Sequence, residues 1–248
     1  MLRFSYYTEL LDKETVVKII VFGANGPTGR LATRIALDDG HEVTAYTRHP
    51  DAFPLTHPRL RVVAGDVHDP ARVESAVAGH DAVLSSLGVP YSRAPITVYS
   101  RGTGHIIRAM ESTGARRLVC VSSSATDPTA GPHGGVFFEK VLQPFMVGVM
   151  GKTLYADMHA MEESVAASSL DWTVMRPSGL FSAPKVSDYR IAEAYLPEKY
   201  TARIDLADAM VRQLSDSRFV GTTAAVTTVT GAPNMAQLMW REVITHSA

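Results

Sequence analysis

The chain has 248 residues, 46% of them hydrophobic, and a formal net charge of −1. That length supports one large α/β domain with a substantial core, and a near-neutral charge without a basic cluster argues against a nucleic-acid partner. The one cysteine, Cys120, excludes an intramolecular disulfide and, set inside an apolar run, reads as a core thiol. In chain order, Met1 to Glu14 comes first, with Arg3, Glu9, Asp12, Lys13 and Glu14 and no long apolar core. Residues 1–16 are therefore expected to be an N-terminal extension, neither signal peptide nor membrane span, on a cytoplasmic protein.

The run Val16 to Phe22 predicts a buried strand, and Arg30 to Asp39 a helix; between them lie Gly23-Ala24-Asn25-Gly26-Pro27-Thr28-Gly29. Strand, glycine-rich turn and helix in that order make a dinucleotide-phosphate cradle: one glycine turns the chain, one admits a pyrophosphate to the backbone N–H groups, and one lets helix and strand pack closely. The helix N-terminus supplies unpaired donors and a positive dipole end. The GxxGxxG spacing also suits a tight structural turn, but the preceding strand and Pro27 in the first helical turn favour the cradle.

A second strand is predicted over Val43 to Arg48. An NAD-selective site would end it with Asp or Glu on the ribose 2′-OH, yet the residues there are Thr47 and Arg48. A guanidinium grips a 2′-phosphate with charge-assisted bonds, which favours NADP(H). Arg30 is a candidate second positive charge; the competing reading makes both arginines solvated surface residues.

Further strands are predicted at Leu60 to Ala64, Asp81 to Leu87, Arg117 to Ser122 and Asp171 to Met175, with helices at Pro70 to Ala78, Ile96 to Thr113 and Leu154 to Ser169. This alternation implies right-handed βαβ units in a doubly wound parallel sheet, with the ligand at the strands' carboxyl ends. Two segments interrupt it. Residues 127–152 carry Phe137, Phe138 and Phe145 and read as a lid or pocket wall, or as an oligomer contact. Residues 178–201, with Phe181, Tyr189, Tyr195 and Tyr200, read as the opposite wall or as ordinary core.

The fifth strand ends in Ser122-Ser123-Ser124. Strand alternation would aim Ser122 and Ser124 one way and Ser123 the other, bringing hydroxyls to the crevice. Tyr155 and His159, four apart on the following helix, share a face. A carbonyl being reduced gathers negative charge on oxygen and needs donors and then a proton, which Ser124, Tyr155 or His159 could give. The alternative is that Tyr155 packs and His159 is solvated. No metal site is expected.

Gly23 to Arg30, Gly65-Asp66, Val119 to Ser124, Leu170-Asp171-Trp172-Thr173-Val174-Met175-Arg176-Pro177 and Arg203-Ile204-Asp205-Leu206-Ala207-Asp208 together resemble the atypical short-chain dehydrogenase/reductases. Within them the chain is most similar to the NmrA-like and biliverdin IXβ/flavin reductase-like branch, over roughly residues 17–230. The resemblance implies a Rossmann-type sheet with helices on both faces, a single domain over 17–248, and small substrate-covering segments after the fifth and sixth strands. It implies that Gly23, Gly26 and Gly29, with Asn25, Pro27 and Thr28, hold the pyrophosphate, and Arg48 the 2′-phosphate. Asp66 and Val67 would border the adenine, Leu87 and Gly88 the ribose, Pro177 and Ser178 the nicotinamide, with Ser122 and Ser123 nearby. Where the family has Tyr-x-x-x-Lys this chain has Tyr155-x-x-x-His159, and a neutral histidine poorly replaces a lysine that lowers the tyrosine pKa.

The expected function is an NADPH-dependent reductase of a planar, largely apolar small molecule such as a flavin, quinone or aromatic ketone, acting as monomer or homodimer away from membranes. The alternatives are an NADP(H)-binding regulator without turnover, and a redox-neutral isomerase or cyclase.

Overall fold

The computed structural model describes residues 16–90, 94–127, 152–193 and 196–231. The N-terminal extension through residue 15, most of the expected lid (128–151) and Tyr195 lie outside the described residues. Strand β1 (Lys18–Phe22) leads through the glycine loop to α1 (Pro27–Asp38), then β2 (Glu42–Thr47), β3 (Leu60–Ala64), α2 (Pro70–Val77) and β4 (Ala82–Ser85). There follow α3 (Ser100–Thr113), β5 (Arg117–Val121), α4 (Lys152–Ala166) and β6 (Asp171–Pro177). Short strands β7 (Gly179–Phe181), β8 (Tyr189–Ala192) and β9 (Tyr200–Ala202) precede α5 (Arg203–Arg212) and β10 (Thr222–Thr228).

Eight strands form one sheet in the order β3-β2-β1-β4-β5-β6-β10-β8, parallel throughout except for the antiparallel edge strand β8. β7 and β9 pair separately. Order reverses between β1 and β4, so the crevice for a ligand opens beyond their carboxyl ends.

The β1 sequence shows why the sheet is covered on both faces. Ile20 and Phe22 pack with residues of α2, α3 and α4, whereas Ile19 and Val21 pack with α1 and α5; all four are 0% exposed. Alternating side chains thus feed two separate cores, and each buried aliphatic or aromatic side chain contributes roughly 1.5–3 kcal/mol. Helix starts are set locally or at long range. Asp69 caps α2 by accepting from the Arg72 N–H at 3.1 Å, with Pro70 in the first turn. α3 has no cap of its own; Asp157 on α4 accepts from the backbone N–H groups of Tyr99 (2.9 Å) and Ser100 (3.3 Å) and from the Ser100 hydroxyl. Gly114, at φ 86°, ends α3 in the left-handed region.

The structure corrects several expectations. β4 ends at Ser85 rather than Leu87, α3 begins at Ser100 rather than Ile96, and β5 ends at Val121 rather than Ser122. Residues 178–201, expected as the opposite pocket wall or ordinary core, carry β7, β8 and the start of β9, and β10 is not among the predicted strands. Phe181 is core, 4% exposed, and Tyr189 is tied by its hydroxyl to Asp208 under the sheet edge. Among the described residues no helix is long and apolar enough to cross a membrane.

Candidate functional site

A cavity of about 1230 Å³ runs along the carboxyl ends of the parallel strands, larger than the roughly 300–1,000 Å³ of a typical small-molecule site. The glycine loop forms its floor. Gly23 turns the chain at φ +71°, and a Cβ there would stand 2.5 Å from the Ser86 carbonyl oxygen. Gly26 N–H closes the turn onto the Gly23 carbonyl at 2.9 Å. Gly23, Asn25, Gly26, Pro27 and Thr28 line the cavity, while Gly29 does not. Gly29 is buried beneath the loop, where a Cβ would meet the Gly23 carbonyl oxygen at 2.2 Å. The absent side chain lets α1 pack closely on the Gly23–Ala24 turn and Ser86.

Arg30 is likewise outside the cavity. Its exposed guanidinium donates from Nε and Nη2 to Asn25 Oδ1 at 3.0 and 2.7 Å, bracing the loop from outside. Arg48, by contrast, is exposed on the cavity wall at the end of β2. Thr47 beside it is buried, and its hydroxyl accepts from the His49 N–H at 3.2 Å. Asp66 and Val67 line the cavity after β3, and Asp66 Oδ1 fixes the turn by accepting from the His68 N–H at 2.9 Å. Beneath them the Tyr46 hydroxyl donates to the Asp66 carbonyl at 3.1 Å; burial, then the Asp69 and Asp66 carboxylates, push its pKa up to about 12, so it stays a neutral donor. Leu87 and Gly88 form the wall after β4.

The far half is built from the ends of β5 and β6 and from α4. Ser122, Ser123 and Ser124 all line the cavity, but the alternation argument fails because the strand has ended: Ser124–Thr126 is a 3₁₀ turn. Ser123 caps that turn, its hydroxyl accepting from the Ala125 N–H at 3.2 Å. Ser122 is buried and its hydroxyl favours the charged form of the Glu162 carboxylate. Leu154, Tyr155 and Met158 face the cavity from α4, and Pro177, the last residue of β6, and Ser178 line it from the end of that strand. Tyr155 is half-buried there, but His159 is exposed and outside the cavity, so the expected pair is not assembled. Four residues on a helix advance the chain by about 400°, and the extra ~40° carries His159 off the cavity face.

Behind the serines lies an ion cluster that the sequence reading did not assemble. Arg176 donates to both Glu162 oxygens at 3.1 and 2.7 Å and stands 3.5 Å from Asp127; Thr126 Oγ1 donates to Glu162 at 2.9 Å. Burial alone would raise the Glu162 pKa, but the hydrogen bonds and charge of Arg176 outweigh it and hold the group below the ordinary glutamate value of 4.5. The cluster joins α4, β6 and the turn after β5. Arg203, Tyr99, His49, His68 and Leu180 also line the cavity and were not foreseen; Arg203 was legible only as the start of a helix, since a site built from the ends of separate elements leaves no local spacing. Cys120 is fully buried and its thiol is pushed up to about 12 by burial, in keeping with a core role.

A family model described as NAD(P)H-binding matches residues 23–217. An uncharacterized protein of Mycobacterium tuberculosis is 37% identical over 108 residues, 43% of this chain but only 12% of that protein's length. An uncharacterized sugar epimerase of Bacillus subtilis is 24% identical over 206 residues, covering 81% of this chain and 89% of the relative. Among solved structures, a short-chain dehydrogenase/reductase from Veillonella parvula in complex with NADP superposes with a TM-score of 0.72 at 19% identity, over 88% of this chain and 99% of that one.

Proposed function

From a chain that belongs to the NAD(P)H-binding family, with the Rossmann fold of an atypical short-chain dehydrogenase/reductase, we infer an NADPH-dependent reductase of a planar, largely apolar acceptor. The observation that carries this reading is one continuous cavity, running from Arg48 past the glycine loop to Ser122–Ala125, Tyr155 and Leu180. Its volume of about 1230 Å³ exceeds that of a typical small-molecule site. The fit to NADP(H) rests on two features: a left-handed glycine turn whose Gly23 and Gly26 line the cavity beside the α1 N-terminus, and a guanidinium rather than a carboxylate at the end of β2.

NADPH, when bound, would supply a hydride. The N–H groups of the glycine loop and the α1 N-terminus would hold the pyrophosphate, and Arg48 the 2′-phosphate. Pro177 and Ser178 would border the nicotinamide, and Leu87, Gly88, Asp66 and Val67 the nucleoside. Ser124 and Tyr155 hydroxyls would donate to the acceptor's oxygen as negative charge gathers there, and Tyr155 would pass on the proton. Leu154, Met158 and Leu180 would exclude water and favour a flat apolar body.

The test is NADPH oxidation, followed by absorbance, across a flavin, a naphthoquinone and an aromatic ketone. Consumption with at least one acceptor, and preference for NADPH over NADH, is the expected result. Tight NADPH binding without turnover of any acceptor would instead favour a second reading, an NADP(H)-binding regulator in the manner of the NmrA-like proteins. The exposed position of His159, outside the cavity lining, is the observation favouring it. Substrate conversion with unchanged NADPH absorbance would point to redox-neutral chemistry, the direction suggested by the epimerase relative.

A further inference from the structure

The two ends of the cavity differ in charge. Arg48, His49, Asp66 and His68 gather at the β2/β3 end, whereas at the β6 end Arg203 is the one charged side chain among the described lining residues. Arg203 is half-buried, lines the cavity and is the first residue of α5. Its backbone is fixed, because the preceding Ala202 N–H donates to Thr228 Oγ1 at 2.8 Å.

Five carboxylates of the surrounding elements are engaged elsewhere. Asp205 accepts from the Ser187 N–H and hydroxyl and from Thr228 at 2.6–2.8 Å. Asp208 binds Arg212 and Tyr189, Glu198 binds Arg190 and Thr227, and Asp127 and Glu162 both bind Arg176. Among the described residues, none of these ion pairs includes Arg203. A partly desolvated guanidinium that lines a cavity and has no ion-pair partner among the described residues is matched by a ligand anion, and its planar fork suits a carboxylate held by two hydrogen bonds.

We propose that Arg203 is a specificity-determining residue that receives a carboxylate carried by the acceptor, so that the substrate is a planar apolar body with an anionic arm. This rests on reading the cavity as a reductase site. The rival source of the same anion is a phosphate of the cofactor itself, and the experiment separates the two.

Protein saturated with NADP⁺ is titrated with anthraquinone-2-carboxylate and with its neutral carboxamide by isothermal calorimetry. The unmodified protein should bind the carboxylate about tenfold tighter or more, the span expected of a charge-assisted hydrogen bond. Arg203→Met should remove that preference and Arg203→Lys keep part of it, each variant first shown to be folded by its thermal melt. The affinity of both variants for NADP⁺ should stay within about twofold. Equal binding of the two probes, binding of neither, or a preference that survives in Arg203→Met would overturn the proposal. Loss of NADP⁺ affinity with discrimination intact would assign the guanidinium to the cofactor and also overturn it. NADPH oxidation with a neutral quinone distinguishes the two levels. Turnover without carboxylate preference removes this proposal and leaves the reductase reading, whereas Arg203-dependent carboxylate binding without any turnover removes the reductase reading alone.

Discussion

Arg48 sits where chemistry and position coincide: it ends the second strand, is exposed, and lines the cavity. If its guanidinium meets a 2′-phosphate, Arg48→Ala should weaken NADPH binding by about 10- to 100-fold, the range for a hydrogen bond to a charged group, while leaving NADH binding nearly unchanged. Calorimetric titration with both cofactors checks this, and equal losses would remove the selectivity argument. Single residues were legible in the sequence where their role depends on chain neighbours. Gly23 turns the chain at its own position, and Arg48 follows its own strand. His159 falls outside the cavity because a few tens of degrees of helical rotation decide between cavity and solvent, and spacing alone does not resolve that.

At the scale of elements, the Glu162–Arg176–Asp127 cluster ties α4 to the ends of β5 and β6, the three pieces that carry Tyr155, the serines and Pro177. Breaking one partner of a buried pair costs about 3–5 kcal/mol, and Glu162→Gln should lower stability at neutral pH toward that range, as read by urea unfolding. Because the folded-state pKa of Glu162 lies below 4.5, its stabilising contribution is full above the ordinary glutamate value and is lost as the pH falls through the depressed one. The stability difference between wild type and Glu162→Gln should therefore narrow in acid; a constant difference between pH 7 and pH 3 would show that the ion pair is not its source. The early strands and helices were readable from their apolar runs. β10, with the sequence TTAAVTT, was not, because threonine and alanine give no continuous apolar run, and burial of Ala224 and Val226 depends on β6 and β8 lying beside them. β8 is four residues long and has meaning only as the partner of β10.

For the molecule as a whole, one sheet separates two cores, and the cavity draws its walls from both layers. The glycine loop leads into α1 and Arg203 opens α5 on one face, whereas Tyr99 precedes α3 and Tyr155 lies on α4 on the other. The doubly wound plan and the glycine loop were legible because each follows from runs of consecutive residues. The far end of the cavity was not, because it is assembled from β5, β6, α4 and α5, which are distant in the chain. Asp157 gives that arrangement a clock. Its carboxylate holds the amides of Tyr99 and Ser100 from the same helix that presents Tyr155 and Met158 to the cavity. Any opening that lifts α4 from α3 must release those two protons to solvent. In hydrogen–deuterium exchange they should be protected in the native protein and exchange far faster in Asp157→Ala, and slower still when NADPH fills the cavity. Two backbone amides would thereby time how often the acceptor wall breathes.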